Sequence, residues 1–152
     1  MIDIRREELT SETAGVLIAA LNAELRKRYP EDGVNYFRLN ADEVRRGHGA
    51  FLVAWAERDA IGCGAVRLID SQTAEIKRMY VVPGMRGRGI ARQVLDALEL
   101  EARRLGAARL LLETGTRQPE AIALYKGAGF SETGPFGEYR PSPLNTFMEK
   151  SL

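Results

Sequence analysis

The sequence predicts an α/β protein, a mixed and mostly antiparallel sheet covered by helices. Three observations predict it. Short apolar runs of strand character alternate with amphipathic stretches along the 152 residues. A strand, helix, strand crossover occupies residues 74 to 114, and a crossover of that length joins parallel strands. Hairpin-like pairs flank it on both sides, and those demand antiparallel pairing. The pattern amounts to six to seven strands and about four helices in one domain over residues 1 to 152.

"MIDIRREE" alternates and reads as the first strand. Residues 11 to 28 read as a helix, capped by Ser11, with Val16, Leu17, Leu21 and Leu25 as its apolar stripe. Pro30 and Gly33 end it, and "YPEDGVNYFRLN" is a loop carrying Tyr36 and Phe37. "NADEVRRG" reads as a short helix. "AFLVAWAE" and "AIGCGAVRLI" form a hairpin, and "AEIKRMYVV" is the next strand. Its apolar alternation shifts by one residue near Lys77 and Arg78. An inserted residue, a β-bulge, explains the shift; so does a strand buried on both faces. Residues 88 to 105 hold the strongest helical stripe, Ile90, Val94, Leu98, Ala102 and Leu105, with Gly106 as its stop. "ARLLLET" is a strand, and Pro119 opens a helix that runs to about residue 127. "FSETG" and "NTFMEKSL" are the last strands.

Composition narrows the function. The net charge of +1 favours neither nucleic acid nor an anionic membrane surface. No apolar run is long enough to span a bilayer, and the N-terminus lacks the apolar core of a signal peptide. With Cys63 as the single cysteine, an internal disulfide is impossible and a cytoplasmic setting is the default. With His48 as the single histidine, histidine triads and zinc sites have little to work with, and no metal is expected. Cys63 reads as a buried core residue or a nucleophile, and His48 as a solvated loop residue.

The stretch "MYVVPGMRGRGIARQVL" carries the chemistry. A strand hands over to a helix through Arg86, Gly87, Arg88 and Gly89. Helix N-termini present unpaired N–H groups and positive potential, so they bind phosphates. Two glycines let the loop bring further amides close. A P-loop string is absent, and Arg92 stands where a dinucleotide fingerprint needs its third glycine. A nucleotide module is therefore disfavoured.

Arg86-x-x-Gly89-x-Ala91 resembles the [QR]-x-x-G-x-[GA] signature of the GNAT superfamily of acyl-CoA-dependent N-acyltransferases. "EAIALYKGAGF" is similar to that family's later tyrosine-bearing helix. The resemblance implies a splayed sheet and acetyl-CoA, or another short acyl-CoA, as co-substrate. It implies that Gly87, Arg88, Gly89, Ile90, Ala91 and Arg92 hold the pyrophosphate, with Arg86 in the same loop. It implies that Met79, Tyr80 and Val81 pair with the pantetheine arm, and that an amide near Val81 polarises the thioester. Tyr125 falls on the family's proposed acid, which also contacts the donor; packing is the other reading. Gln118 stands where many members carry a donor-contacting asparagine. The family's strand glutamate aligns with Lys77, which leaves Glu75 as the first candidate base and Glu113 as the other. Acceptor contacts are expected from Tyr36, Phe37, Arg67, Lys77 and Arg78, beside Tyr29, Asn35 and Arg38, with Tyr139 and Arg140 nearby. Two such cations in one cleft would favour a carboxylate-bearing small-molecule amine. A homodimer is common in the family. A non-catalytic acyl-CoA-binding domain is the competing expectation.

Overall fold

The structure, a computed structural model, describes residues 1–31 and 39–152. Its elements are β1 (Ile2–Arg6), α1 (Glu12–Arg28), β2 (Gly49–Ala56), β3 (Asp59–Leu68), β4 (Thr73–Val81), α2 (Ile90–Arg104), β5 (Arg109–Gly115), α3 (Pro119–Gly127), β6 (Ser131–Thr133) and β7 (Asn145–Ser151). The strands form one sheet in the order β1-β2-β3-β4-β5-β7-β6. Among the described strands only β4 and β5 pair in parallel, as the crossover through α2 requires. The expected short helix in "NADEVRRG" is a single 3-10 turn, Ala41–Val44, so the described residues hold three α-helices rather than four.

Ser11 caps α1 by accepting from the Ala14 amide at 3.0 Å, and basic Arg26, Lys27 and Arg28 sit at its negative end. Its buried face is Ala14, Leu17 and Leu21. Val16, expected in that stripe, is 64% exposed. The 14, 17, 21 spacing follows one helix face, and position 16 lies off it. α2 begins at Ile90, two residues later than expected, because Gly87 and Gly89 both hold φ 79°. That left-handed conformation suits glycine and does not continue a right-handed helix.

Two cores flank the sheet. Leu52, Ile76, Val94 and Leu98 belong to the side covered by α2 and α3. Phe51, Val53, Cys63 and Tyr80 belong to the side covered by α1. α2 lies close on the sheet at Gly64, where a Cβ would come within 2.7 Å of both Leu98 and Met79.

Two irregularities open the sheet. On β4, Cys63 pairs with Tyr80 and Ala65 with Lys77, so Gly64 faces both Arg78 and Met79. This is a β-bulge, and Arg78 at its centre holds φ 59°. Glu75 and Lys77 precede it on the α1 face, and the extra residue returns Tyr80 to that face while Val81 turns to the other core. The second irregularity is a fork. β4 and β5 share four pairs, ending at Ile76 and Leu112, and then part. Among the described residues no helix is long and apolar enough to cross a membrane.

Candidate active site

The fork opens into a cavity of about 590 Å³. Its walls come from β4 beyond Ile76, the end of β5, one side of α1, the start of α2 and α3, and the segment from Tyr139 to Asn145. Every one of these elements reaches the cavity because the two central strands part.

At one end lies the loop before α2. The amides of Gly87, Arg88, Gly89, Ile90, Ala91 and Arg92 find no acceptor among the described residues; the first helical bond runs from Gln93 to Gly89 at 3.2 Å. Six successive N–H groups thus stand free at the positive end of a 15-residue helix. A Cβ built on Gly87 or Gly89 meets nothing within 4 Å, so the space before them is open. Divalent anionic phosphate is the ligand such a concavity fits.

Arg86 braces this loop. Its Nε donates to the Val81 carbonyl at 2.8 Å, its guanidinium ion-pairs with Glu24 of α1 at 2.8 Å, and it lies 5.6 Å from the centre of the Tyr80 ring. The Val82 amide donates to Ile61 across the sheet at 2.9 Å. Successive residues of a strand alternate their polar edges, so the Val81 amide faces the fork. Met79, Tyr80 and Val81 all line the cavity, as do Ala91, Arg92 and Gln118. Arg88 does not.

Tyr125 lines the cavity from α3, buried at 6% exposure. Its ring meets Phe130 edge-to-face at 5.8 Å. Burial pushes its hydroxyl well above the ordinary tyrosine range, which keeps it protonated and able to donate. Its hydroxyl makes no hydrogen bond to a described residue.

The two candidate carboxylates part company. Glu75 is fully buried and does not line the cavity. Arg67 donates to it from Nε at 3.0 Å and pairs through Nη2 at 2.9 Å, and the Tyr139 hydroxyl donates to its other oxygen. Arg67 is also ion-paired with Glu43 at 2.9 Å and likewise stands outside the cavity wall. Glu113 does line the cavity, and its one hydrogen bond among the described residues comes from Asn145 Nδ2 at 3.2 Å. Burial first, and Glu75 nearby, raise its pKa above the usual carboxylate range, and the Asn145 bond only partly opposes this. Lys77 faces the same cavity from β4. Burial lowers its pKa, against the pull of Glu75.

Arg78 donates to Asn22 of α1 and lines the cavity. Tyr36, Phe37, Asn35 and Arg38 lie outside the described residues. Tyr29 closes the far end: its hydroxyl accepts from the Arg117 amide at 2.8 Å. It leaves so little room that a Cβ on Gly115 would fall 1.9 Å from that oxygen. Cys63 is no nucleophile. It is buried, its thiol donates to the Arg78 carbonyl at 3.4 Å, and desolvation pushes its pKa up to about 12. His48 sits in an exposed turn against Arg45 at 2.8 Å. Among the described residues no group of ligating side chains could hold a metal ion.

Asn22, Glu24 and Asn145 were not singled out in the sequence. Asn22 and Glu24 stand beside Leu21 and Leu25 of the α1 stripe, and that adjacency was the one local signal that could have found them. Asn145 carries no local signal, because its role arises from β7 pairing beside β5.

The architecture is that of an acyl-CoA-dependent transferase. A model of the acetyltransferase (GNAT) family matches residues 16–130. The "IAA acetyltransferase" of Azospirillum brasilense is 40% identical over 152 residues, 99% of this chain and 98% of that protein. A Klebsiella pneumoniae structure assigned to the acyl-CoA N-acyltransferases superposes with a TM-score of 0.85 at 34% identity, covering 100% of this chain and 98% of its own. A GNAT acetyltransferase of Elizabethkingia anophelis with acetyl-CoA bound shares the fold at a TM-score of 0.70 and 20% identity, over 99% and 98% of the two chains. The chain belongs to the acetyltransferase (GNAT) family. At the level the family defines, it is an N-acetyltransferase that takes an acyl-CoA as co-substrate.

Proposed function

We propose that the protein transfers an acetyl group from acetyl-CoA to the amine of a small molecule by direct attack within a ternary complex. The run of six unpartnered amides at the start of α2 carries this reading, because it offers a pyrophosphate seat one loop away from a forked sheet. The residues from Gly87 to Arg92 hold the pyrophosphate, with Arg86 fixing the loop. Met79, Tyr80 and Val81 offer the strand edge that faces the fork to the pantetheine arm, and Gln118 just before α3 and Tyr125 on it flank the arm. The Val81 amide stabilises the charge that develops on the carbonyl oxygen.

Glu113 acts as the base. It takes a proton from the acceptor ammonium, and the neutral nitrogen attacks the acyl carbon. The new C–N bond forms as the C–S bond breaks. Tyr125 gives its proton to the departing sulfur and regains one as the nitrogen sheds its second proton. One proton is released overall. Glu75, the first base suggested by the sequence, serves instead to position Tyr139 through their hydrogen bond. We place the enzyme in the cytoplasm, as one domain over residues 1–152.

The testing experiment follows CoA thiol release from acetyl-CoA against amino acids, polyamines, aminoglycosides and peptide N-termini. Acceptor-dependent release is expected. Tight CoA binding with no release from any amine would favour the binding-only domain.

A further inference from the structure

We propose that the acceptor is a small amino acid, its carboxylate held by Lys77 and Arg140 while its amine meets Glu113. This rests on the acyl-transfer reading above and specifies its substrate class.

The charges lining the cavity carry the inference. Among its acids, Glu24 is ion-paired with Arg86 at 2.8 Å and Glu120 with Arg28 at 2.6 Å. Glu113 has only the Asn145 amide among the described residues. Among its cations, Arg86 is held by Glu24, Arg92 by Asp96 at 3.0 Å, and Arg78 meets Asn22. Lys77 and Arg140 line the same cavity, and neither makes an ion pair with a described residue. Once the ion pairs are set aside, Lys77, Arg78 and Arg140 are the cations and Glu113 the carboxyl that face the space, and Arg78 is engaged by Asn22.

The fold brings these three together. Ile76 and Leu112 are the last pair before the fork, so Lys77 and Glu113 are the next residues on either branch. Glu75, two residues before Lys77 on the same face, accepts from Tyr139, and Arg140 follows Tyr139 directly. Asn145 Nδ2 completes the link by donating both to Glu113 at 3.2 Å and to the Arg140 carbonyl at 2.9 Å.

Lys77 is half-buried; burial lowers its pKa against the pull of Glu75, and a further anion beside it would stabilise its charged form. A carboxylate supplies that anion. A ligand with an amine alone would bring a second cation to Lys77, and a polyamine several. An amino acid complements both signs: its carboxylate answers Lys77 and Arg140, and its ammonium answers Glu113.

The test measures kcat/KM for acetyl transfer to the protein amino acids, β-alanine and γ-aminobutyrate. Each is compared with its amide and its decarboxylated amine, and CoA affinity is read separately by calorimetry. At least one amino acid should exceed both of its counterparts about 10- to 100-fold, the worth of a charge-assisted contact. Lys77→Gln should raise KM for that amino acid by a similar factor while calorimetric CoA affinity holds, and Lys77→Arg should restore part of the loss. If amides or decarboxylated amines serve as well, or if CoA binds and no amino acid is acetylated, the proposal is overturned. Failure of CoA to bind would instead overturn the acyl-transfer reading beneath it.

Discussion

For Glu113, the proposed base, burial carries a consequence for stability as well as for reactivity. Its folded-state pKa is raised by burial. The folded protein therefore favours its protonated form, and its contribution to stability is fully present below the unfolded-state value. That contribution is lost as pH rises through the raised folded value. Glu113→Gln removes the penalty. Its melting temperature should exceed that of the parent at pH 8, and the gap should close toward pH 4; thermal scans across pH check this. The same variant should lose about 100- to 10,000-fold in turnover, as removal of a general base does. In the parent, kcat/KM for the acceptor should fall on acidification with an apparent pKa above the ordinary glutamate range. Tyr125→Phe should lower kcat by about 100- to 10,000-fold while calorimetric CoA affinity stays near that of the parent; equal turnover would leave Tyr125 as packing. Both carboxylates were visible in the sequence, but their ranking was not. Whether Glu75 is free depends on Arg67 standing opposite it across β3 and β4. That register is a long-range fact which no local pattern encodes.

The bulge and the glycine loop set the site's shape. Without the bulge, the face carrying Glu75 and Lys77 would continue through Met79 and Val81. With it, Tyr80 takes that place. The slip in apolar phase near Lys77 was legible for this reason: a side-chain period of 2 makes one inserted residue show at once. Deleting Arg78 should leave each core residue on its own face while straightening the strand. The expected result is a native far-ultraviolet dichroism spectrum with acetyltransferase activity lost. The loop was legible as well, since two left-handed residues in a row of arginines require glycine. Gly89→Trp places a large ring in open space before the amides, at φ 79°. It should abolish calorimetric CoA binding; parent-like affinity would refute the cradle. Val16 was misread because a bare list of apolar residues in α1 does not say which stripe the sheet covers.

Across the molecule, α1 is tied to both rims of the cavity. Glu24 reaches Arg86 by the glycine loop, Asn22 reaches Arg78 at the bulge, and Arg28 reaches Glu120 on α3. None of these ties was visible in the sequence, whereas the element order and the central crossover were. The tied parts share their stability with the ligand. CoA at 100 times its Kd should stabilise the fold by about 2.7 kcal/mol, roughly 5–10 °C in Tm for a chain of this size. Leu98 sits on the opposite side of the sheet at 0% exposure. Leu98→Ala should cost about 2–5 kcal/mol in denaturant unfolding, and added CoA should recover part of it.

The four pairs between β4 and β5 make a seam. β1 through β4 form one panel, β5, β7 and β6 another, and a short stitch of parallel hydrogen bonds joins them. Past the stitch, every second amide of β4 points into open space. Those amides should exchange quickly with deuterium in the protein alone and gain protection when the extended pantetheine arm lies along them. An exchange experiment run across CoA concentrations would then read how far the added strand completes the sheet.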